Sequence, residues 1–263
     1  MDGFIINLGG TVFRGNNLID GVFETIFHLK KLEKKVVFLS NRGNILRKMC
    51  YSKLCQMGLD VSEEKILLSS TVAANDLKAY FASSAVWVFG EQGLKDELIE
   101  AEVRIASRPE EADWLLITLH ESVTYKDLND AFRAVRHGAR IIATNTDTHF
   151  PSEDGDSIDV AGMIGAVVAS TGKEVDVVIG KPSHYMVEAA LKVLGQSPES
   201  CLVVGDSLAS DICLGKRFGI KTALVLSGSV QLENVKQSKW QPDWIWNYLG
   251  DLNEYLTTGW KCL

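Results

Sequence analysis

The stretch Phe4-Ile5-Ile6-Asn7-Leu8-Gly9-Gly10-Thr11, near the amino terminus, decides the fold. In this stretch an apolar run ends in a glycine-rich turn that carries an amide and a hydroxyl side chain. A short apolar run bounded by turn residues is typical of a strand buried on both faces, as in a parallel sheet. Ligands of such sheets bind beyond the carboxyl ends of the strands. The residues that follow the run are therefore the first candidate site residues: Asn7, Gly9, Gly10 and Thr11.

Length, composition and charge are those of a soluble globular enzyme or binding protein. The chain has 263 residues, of which 46% are hydrophobic, enough for the core of one large α/β domain or two of ordinary size. Its formal charge of -7 gives no general attraction to nucleic acid or to an anionic membrane. We therefore expect no nucleic-acid partner and no membrane partner.

The cysteines and the amino terminus favour a cytoplasmic location. Five cysteines lie at spacings that match neither a zinc ligand set nor a small disulfide framework: Cys50, Cys55, Cys201, Cys213 and Cys262. The chain opens without a basic and apolar leader, and no run approaches the length that spans a bilayer. We expect reduced thiols and a cytoplasmic protein.

Short apolar runs alternate with amphipathic helical patterns along almost the whole chain, which predicts an α/β fold with parallel strands joined by helices. A first set of strands is predicted at residues 4–8, 36–39 and 66–68. The helices of this set are predicted at residues 21–31, 44–56 and 71–81.

A second set of strands is predicted to form a small sheet of its own, at residues 85–89, 114–119 and 139–143. Its helices are predicted at about residues 93–101 and 125–137. A stretch rich in Gly and Asp, residues 154–165, and a Thr171-Gly172 turn precede the last strands, at residues 175–180, 201–205 and 222–226. We predict a Rossmann-like parallel-sheet core at residues 1–81 and 176–263, with an inserted α/β cap domain at residues 82–175.

Polar residues directly follow four of the predicted core strands. The four segments are Asn7 to Thr11, Ser40-Asn41-Arg42-Gly43, Lys181-Pro182, and Gly205-Asp206 with Asp211. Together they supply hydroxyl and amide groups for phosphate oxygens, a point cation at Lys181, and a carboxylate at Asp206 for a hard divalent metal. Each segment alone also has a structural interpretation, because Ser-Asn after a strand often caps a helix and Gly-Asp often forms a turn.

These segments, in this order and with an insertion between the second and the third, resemble the signature motifs of the haloacid dehalogenase (HAD) superfamily. The likeness covers essentially the whole chain and points to the NagD-type sugar phosphatases, which have a large α/β cap. Three further stretches carry it: Thr11-Val12-Phe13-Arg14-Gly15-Asn16, Gly90-Glu91-Gln92-Gly93-Leu94 and Ile142-Ala143-Thr144-Asn145. The resemblance implies a Mg²⁺-dependent phosphomonoester hydrolase that acts on small sugar phosphates. It also implies a cap that selects the substrate and pairs two copies into a homodimer.

The resemblance further implies a role for each candidate residue. Phosphate binding is implied for Gly10, Thr11, Ser40, Asn41, Arg42 and Lys181, of which Lys181 is also counted among the catalytic residues. Metal binding is implied for Asn7, for the carbonyl of Gly9 and for Asp206, with Asp211 behind Asp206. Asn145 and Asp147 match a substrate loop on the cap side, for which an Asx turn is an equally weighted structural alternative.

The chain departs from the family pattern at Asn7 and Gly9, where the pattern has two aspartates. The first aspartate attacks phosphorus, and the second protonates the leaving group and later activates water. A carboxamide is a poor nucleophile and glycine has no side chain. Loss of acid–base help costs about 10²–10⁴ in rate, and loss of a nucleophile about 10⁵ or more. We therefore predict that phosphatase activity is very low or absent.

Three interpretations remain open at this stage. The first is a phosphatase whose turnover is very low. The second is a non-catalytic phosphate-ester-binding or regulatory protein that keeps Ser40, Lys181 and Asp206. The third concerns origin: an aspartate-to-asparagine change at a nucleophile is a common laboratory substitution, although glycine at the second position is less typical of design and favours a natural variant.

Overall fold

The computed structural model describes residues 1–152, 155–228 and 230–258. These residues divide into two compact units. The first unit consists of Met1–Ser40, Cys50–Leu67 and the chain from Lys181 onward, and the second of Asn41–Met49 and Leu68–Gly180. The second unit thus includes residues 41–49, 68–81 and 176–180, which the sequence pattern assigns to the core. The cap boundaries at residues 82 and 175 stay a prediction.

The strands are short and mostly apolar. In chain order they are β1 Gly3–Asn7, β2 Phe13–Arg14, β3 Asn17–Leu18, β4 Lys35–Ser40, β5 Ile66–Leu68, β6 Val86–Phe89, β7 Trp114–Ile117, β8 Arg140–Ala143, β9 His149–Ser152, β10 Gly155–Ile158, β11 Val177–Val178, β12 Cys201–Gly205, β13 Lys221–Val225 and β14 Trp244–Trp246.

The helices connect these strands. In chain order they are α1 Val22–Lys31, α2 Arg47–Gln56, α3 Ser69–Tyr80, α4 Gln92–Glu100, α5 Tyr125–Arg136, α6 Val160–Thr171, α7 His184–Leu194, α8 Cys213–Arg217, α9 Leu232–Gln237 and α10 Leu252–Thr258. A π-helical turn at Leu208–Ile212 leads into α8.

The first unit is built on a six-stranded sheet with the order β14-β13-β12-β1-β4-β5. β1 lies in its interior and pairs in parallel with β4 on one side and β12 on the other. The residues of β1 from Gly3 to Ile6 are buried, as its unbroken apolar run predicts. The parallel-sheet core of the predicted fold class is confirmed.

The second unit is built on a four-stranded parallel sheet with the order β11-β8-β7-β6. Three of its strands were predicted to form a separate small sheet, and this prediction is confirmed. The fourth strand, β11, was predicted as part of the core. Its pairing with Ile142 and Ala143 of β8 corrects that prediction. With only two residues in β11, periodicity gives no guide to the sheet it joins.

Helix α6 was missed because its sequence is rich in glycine and small residues. The segment was interpreted as a Gly- and Asp-rich stretch, yet α6 runs from Val160 to Thr171 and begins after Asp159, whose side chain accepts a hydrogen bond from Val160 N. Val160, Met163 and Val167 of α6 pack in the hydrophobic core of the second unit. Tertiary packing therefore overrides the low helix propensity of glycine. Asp154, in the same stretch, lies outside the described residues.

Two further sequence predictions concern thiols and membrane spans. Cys50, Cys55, Cys201 and Cys213 carry thiols rather than disulfides, and Cys262 lies outside the described residues. Within the described ranges, the helices are too short or too polar to cross a bilayer.

Candidate active site

The candidate active site lies in the first unit, where the strand order reverses. β1 is followed along the chain by its neighbour β4 on one side of the sheet, while β12 joins it on the other side much later in the sequence. Such switch points leave a crevice at the carboxyl ends of the strands. Asn7 ends β1 and Asp206 directly follows β12. The Nδ2 atom of Asn7 donates a hydrogen bond of 2.7 Å to Asp206 Oδ1, so the two predicted site residues meet here.

The carboxamide of Asn7 is held from both ends. Its Oδ1 accepts a hydrogen bond of 2.8 Å from Lys181 Nζ. Its Nδ2 donates to the backbone carbonyl of Gly9 at 2.8 Å and to Asp206 at 2.7 Å. An ammonium group only donates, whereas a carbonyl and an ionised carboxylate only accept. The three partners therefore fix which end of the amide carries the oxygen.

Lys181 is buried in a pair with Asp211. Its Nζ donates to Asp211 Oδ1 at 2.7 Å, and the two side chains are 4% and 2% exposed. Asp211 also accepts a hydrogen bond of 3.1 Å from the backbone N–H of Ser207, at the start of the π-helical turn. Gly205 is required beside this pair, because a Cβ at that position would collide with the Asp211 side chain. The ammonium of Lys181 thus lies beside Asn7, while the Lys181–Asp211 pair has no net charge.

The pKa of the Asp206 carboxyl group is shifted upward in this site. Burial raises its pKa to about 6, and the nearby Asp211 carboxylate raises it as well. Lys181 and the hydrogen bond from Asn7 act in the opposite direction. Thr11, which is fully buried, adds a long contact of 3.5 Å from its hydroxyl to Asp206 Oδ1. This carboxylate therefore titrates closer to neutral pH than an ordinary aspartate does.

The two glycines of the first loop differ in what their backbone requires. Gly10 has a φ of +74°, and a Cβ there would lie 2.8 Å from Asp206 Cγ. Glycine is therefore needed at position 10, both for the left-handed backbone and for the close approach of Asp206. At Gly9 a Cβ would meet nothing within 4 Å. Nothing in the described structure excludes a side chain at position 9.

A loop after β13 contributes to the site without a signal in the sequence. Ser227 Oγ donates to the carbonyl of Gly10 at 2.7 Å, and Arg14 donates to the Ser227 carbonyl. A Cβ on Gly228 would overlap the Asp206 side chain. The two hydrogen bonds join positions more than 200 residues apart, and Leu226-Ser227-Gly228 has the sequence of an ordinary turn. Periodicity and motif spacing could not have identified this loop.

The remaining predicted substrate residues form a cluster within the second unit. Asn41 Nδ2 donates to Asp147 Oδ2 at 3.0 Å, and Asn145 Nδ2 donates to the Asn41 carbonyl at 2.8 Å. Asn145 Oδ1 accepts from Asp147 N at 2.9 Å, which is the Asx turn expected on structural grounds. Arg42 is exposed, and its Nε donates to Asn44 Oδ1 at 3.2 Å. Each member of this cluster thus has a structural partner.

The structure therefore brings most predicted residues together in two groups, one within each unit. The first group consists of Asn7, Gly9, Gly10, Thr11, Lys181, Asp206 and Asp211, and Ser40 ends β4 in the same unit. The second group consists of Asn41, Asn145 and Asp147, with Arg42 bound to the adjacent Asn44.

The donor atoms around Asn7 do not suit a divalent cation in this geometry. Asp206 and the Gly9 carbonyl offer the hard oxygen atoms that Mg²⁺ prefers. Asp206 Oδ1 and the Gly9 carbonyl oxygen, however, accept hydrogen bonds from Asn7 Nδ2, and the Asn7 oxygen accepts from Lys181. Among the described residues there is also no group of three or more His, Cys, Asp or Glu side chains arranged to hold a metal ion.

Comparison with known proteins places this geometry in a family. The family model for haloacid dehalogenase-like hydrolases matches residues 4–104, and a HAD-hydrolase-like model matches residues 178–252. The chain is 51% identical to sugar-phosphatase AraL of Bacillus subtilis, over 98% of this chain and 94% of the relative.

Solved structures agree with this assignment. The p-nitrophenyl phosphatase from Archaeoglobus fulgidus superposes with a TM-score of 0.91 at 34% identity, over 96% of this chain and 98% of that one. NagD from E. coli K-12 superposes with a TM-score of 0.86 at 25% identity, over 95% and 98% of the two chains. The chain therefore belongs to the haloacid dehalogenase-like hydrolases and, within them, to the NagD-like (class IIA) phosphatases with a cap domain.

Proposed function

We propose that this chain is a phosphatase-family protein whose site accepts small phosphorylated sugars and turns them over very slowly. The 51% identity to a sugar phosphatase, over nearly the whole of both chains, supports the substrate class. The identity of the residues at positions 7 and 9 supports the low rate. Chemistry at this site is limited by missing side chains on an otherwise complete scaffold.

The main support for the proposal is the hydrogen bonding of the Asn7 side chain. Its oxygen accepts from Lys181, and its nitrogen donates to Asp206 and to Gly9. An amide nitrogen has its electron pair delocalised into the carbonyl, and an amide oxygen is a far weaker nucleophile than a carboxylate. Asn7 therefore has no group that can displace a sugar from phosphorus at a useful rate.

With glycine at position 9, the site also lacks a general acid. The family pattern has at this position a carboxylic acid that protonates the leaving sugar oxygen. Gly9 has no side chain, and the space around its Cα is open. A leaving alkoxide would then depart without a proton from the protein, and help of this kind is typically worth about 10²–10⁴ in rate.

The other assignments keep the form in which the family resemblance implies them. We propose that Gly10, Thr11, Ser40, Asn41, Arg42 and Lys181 contact the phosphate, and that Asn145 and Asp147 contact the sugar. We propose Mg²⁺ as the cofactor of the chemistry once a carboxylate stands at position 7, with Asp206 and the Gly9 carbonyl as its other protein ligands. A cytoplasmic location and pairing through the cap remain predictions.

The test is phosphate release from a panel of sugar phosphates and p-nitrophenyl phosphate with Mg²⁺. We expect the Asn7→Asp, Gly9→Asp double variant to exceed the original chain by at least about 10³ in rate. The Asn7→Asp, Gly9→Ala variant is the matched control, because it restores the nucleophile without the acid. It should fall between the two.

Two outcomes would contradict the proposal. If the original chain and the double variant turn over at comparable rates, another residue supplies the nucleophile. If the double variant cleaves no member of the panel, the scaffold is not that of a sugar phosphatase. Adding Lys181→Met to the double variant should abolish its turnover, which guards against a contaminating phosphatase.

A further inference from the structure

We infer that the side-chain amide of Asn7 takes the place of the divalent cation, so that position 7 alone decides whether this site binds Mg²⁺. The inference rests on the proposed function only in that the family implies a cation at this place. It concerns binding of the ion and holds whether or not the chain cleaves a phosphate ester.

The orientation of the Asn7 amide is fixed by its three hydrogen-bond partners. Turning it by 180° would put the amide hydrogens against the ammonium of Lys181. It would also put Oδ1 against the oxygens of Gly9 and Asp206. Three hydrogen bonds of 2.7–2.8 Å would be exchanged for three repulsive contacts. The observed orientation is therefore strongly preferred as long as Lys181 is present.

The Nδ2 atom of Asn7 contacts the same two oxygen atoms that a cation would need. It lies 2.8 Å from the Gly9 carbonyl oxygen and 2.7 Å from Asp206 Oδ1. A Mg²⁺ ion sits only about 2.0–2.1 Å from its oxygen ligands. An ion that bridged these two oxygens from the side of Asn7 would overlap the amide nitrogen. The partly positive NH₂ group instead satisfies the same two acceptors.

A carboxylate at position 7 would have no NH₂ group to overlap with the cation. One of its oxygens could accept from Lys181 while the other faced a cation beside Asp206. An amide has one oxygen, and here Lys181 already uses it. Compared with an aspartate, Asn7 therefore offers a cation one negative charge and one oxygen ligand fewer. The affinity of an oxygen-ligand site for a cation depends on the charge of its ligands.

The experiment is a Mg²⁺ titration of the metal-stripped full chain, its Asn7→Asp variant and its Asn16→Asp variant, by calorimetry and by the thermal unfolding midpoint. No phosphate ester is present, so the result is independent of whether the proposed turnover exists. We expect Asn7→Asp to bind Mg²⁺ at least about tenfold more tightly than the original chain, with a midpoint that rises as Mg²⁺ is added. Asn16→Asp is the matched control and should stay near the original affinity, because it makes the same amide-to-carboxylate change at an exposed position in the turn between β2 and β3.

Equal Mg²⁺ affinity of the original chain and Asn7→Asp would overturn the inference, and so would an equal gain for Asn16→Asp. A second measurement needs no variant. The side-chain NH₂ resonances of Asn7, followed by NMR, should not change during a Mg²⁺ titration of the original chain. A saturable shift of these resonances would show that the amide gives way to the ion, and would also overturn the inference.

Discussion

Lys181 and Asp211 form an ion pair of 2.7 Å with almost no exposure to solvent, and the same ammonium holds the oxygen of Asn7. A buried pair of this kind is expensive to break, because the partner that remains is an uncompensated charge. The contact thus links the stability of the first unit to the chemistry of its site.

Replacing Lys181 by methionine should lower the free energy of unfolding by about 3–5 kcal/mol, since Asp211 would stay buried without its partner. Replacing both residues, as Lys181→Met with Asp211→Leu, should recover much of that loss. Lys30→Met is the control: it removes an ion pair with Asp60 that is mostly exposed, and it should have no measurable effect. Urea unfolding measures all three, and equal losses for Lys181→Met and Lys30→Met would contradict the burial argument.

Asp206 should make the metal-free protein less stable as pH rises from 4 to 7. Its folded pKa of about 6 lies above the ordinary value of 3.8 because of burial and Asp211. The folded state therefore holds a proton that the unfolded state has already released, and that advantage is lost as pH rises through 6. The difference corresponds to roughly 3 kcal/mol.

The measurement for Asp206 is the free energy of unfolding at several pH values for the original chain and Asp206→Asn. The amide keeps an oxygen for Asn7 but does not titrate. The variant should gain stability relative to the original chain between pH 4 and 7. A pH-independent difference would show that Asp206 keeps its ordinary pKa.

Gly10→Ala and Gly9→Ala form a matched pair. Gly10→Ala should cost at least about 1 kcal/mol, because a left-handed backbone and contact with Asp206 both oppose a side chain. Gly9→Ala should be neutral or slightly stabilising, since its Cβ meets nothing. Thermal or urea unfolding of the two variants measures this difference. Equal losses at both positions would mean that the loop is not held as described.

Asn145 should contribute to the stability of the second unit through its Asx turn. Asn145→Ala removes the acceptor for Asp147 N and the donor to the Asn41 carbonyl, and should cost about 1–3 kcal/mol. Asn145→Asp keeps the acceptor but sets a buried carboxylate oxygen against the Asn41 carbonyl, so it should cost at least as much as Asn145→Ala. Thr146→Ala, at an exposed neighbour, is the control and should leave the unfolding midpoint unchanged. An Asn145→Ala variant as stable as this control would leave substrate binding as the reason for the residue.

The regular part of the fold could be predicted from the sequence because apolar runs mark buried strands. β1, β4 and β12 were all identified this way, and Asn7 at the end of β1 meets Asp206, the residue after β12, as predicted. The prediction failed where a segment was too short or too glycine-rich to show a period. β11 has two residues, and α6 contains Gly162 and Gly165, so its helical period is weak and the burial of its apolar residues in the core shows only in the structure.

The sequence by itself determined which functional groups are present. Covalent chemistry depends on side-chain identity, so Asn7 and Gly9 already exclude a carboxylate at either position. Only the tertiary structure decided what Asn7 does instead. Its amide is oriented by Lys181 and Asp206, which lie 174 and 199 residues away along the chain. The direction of a hydrogen bond is set by the partner that folding brings within reach, and no local pattern encodes a partner at that distance.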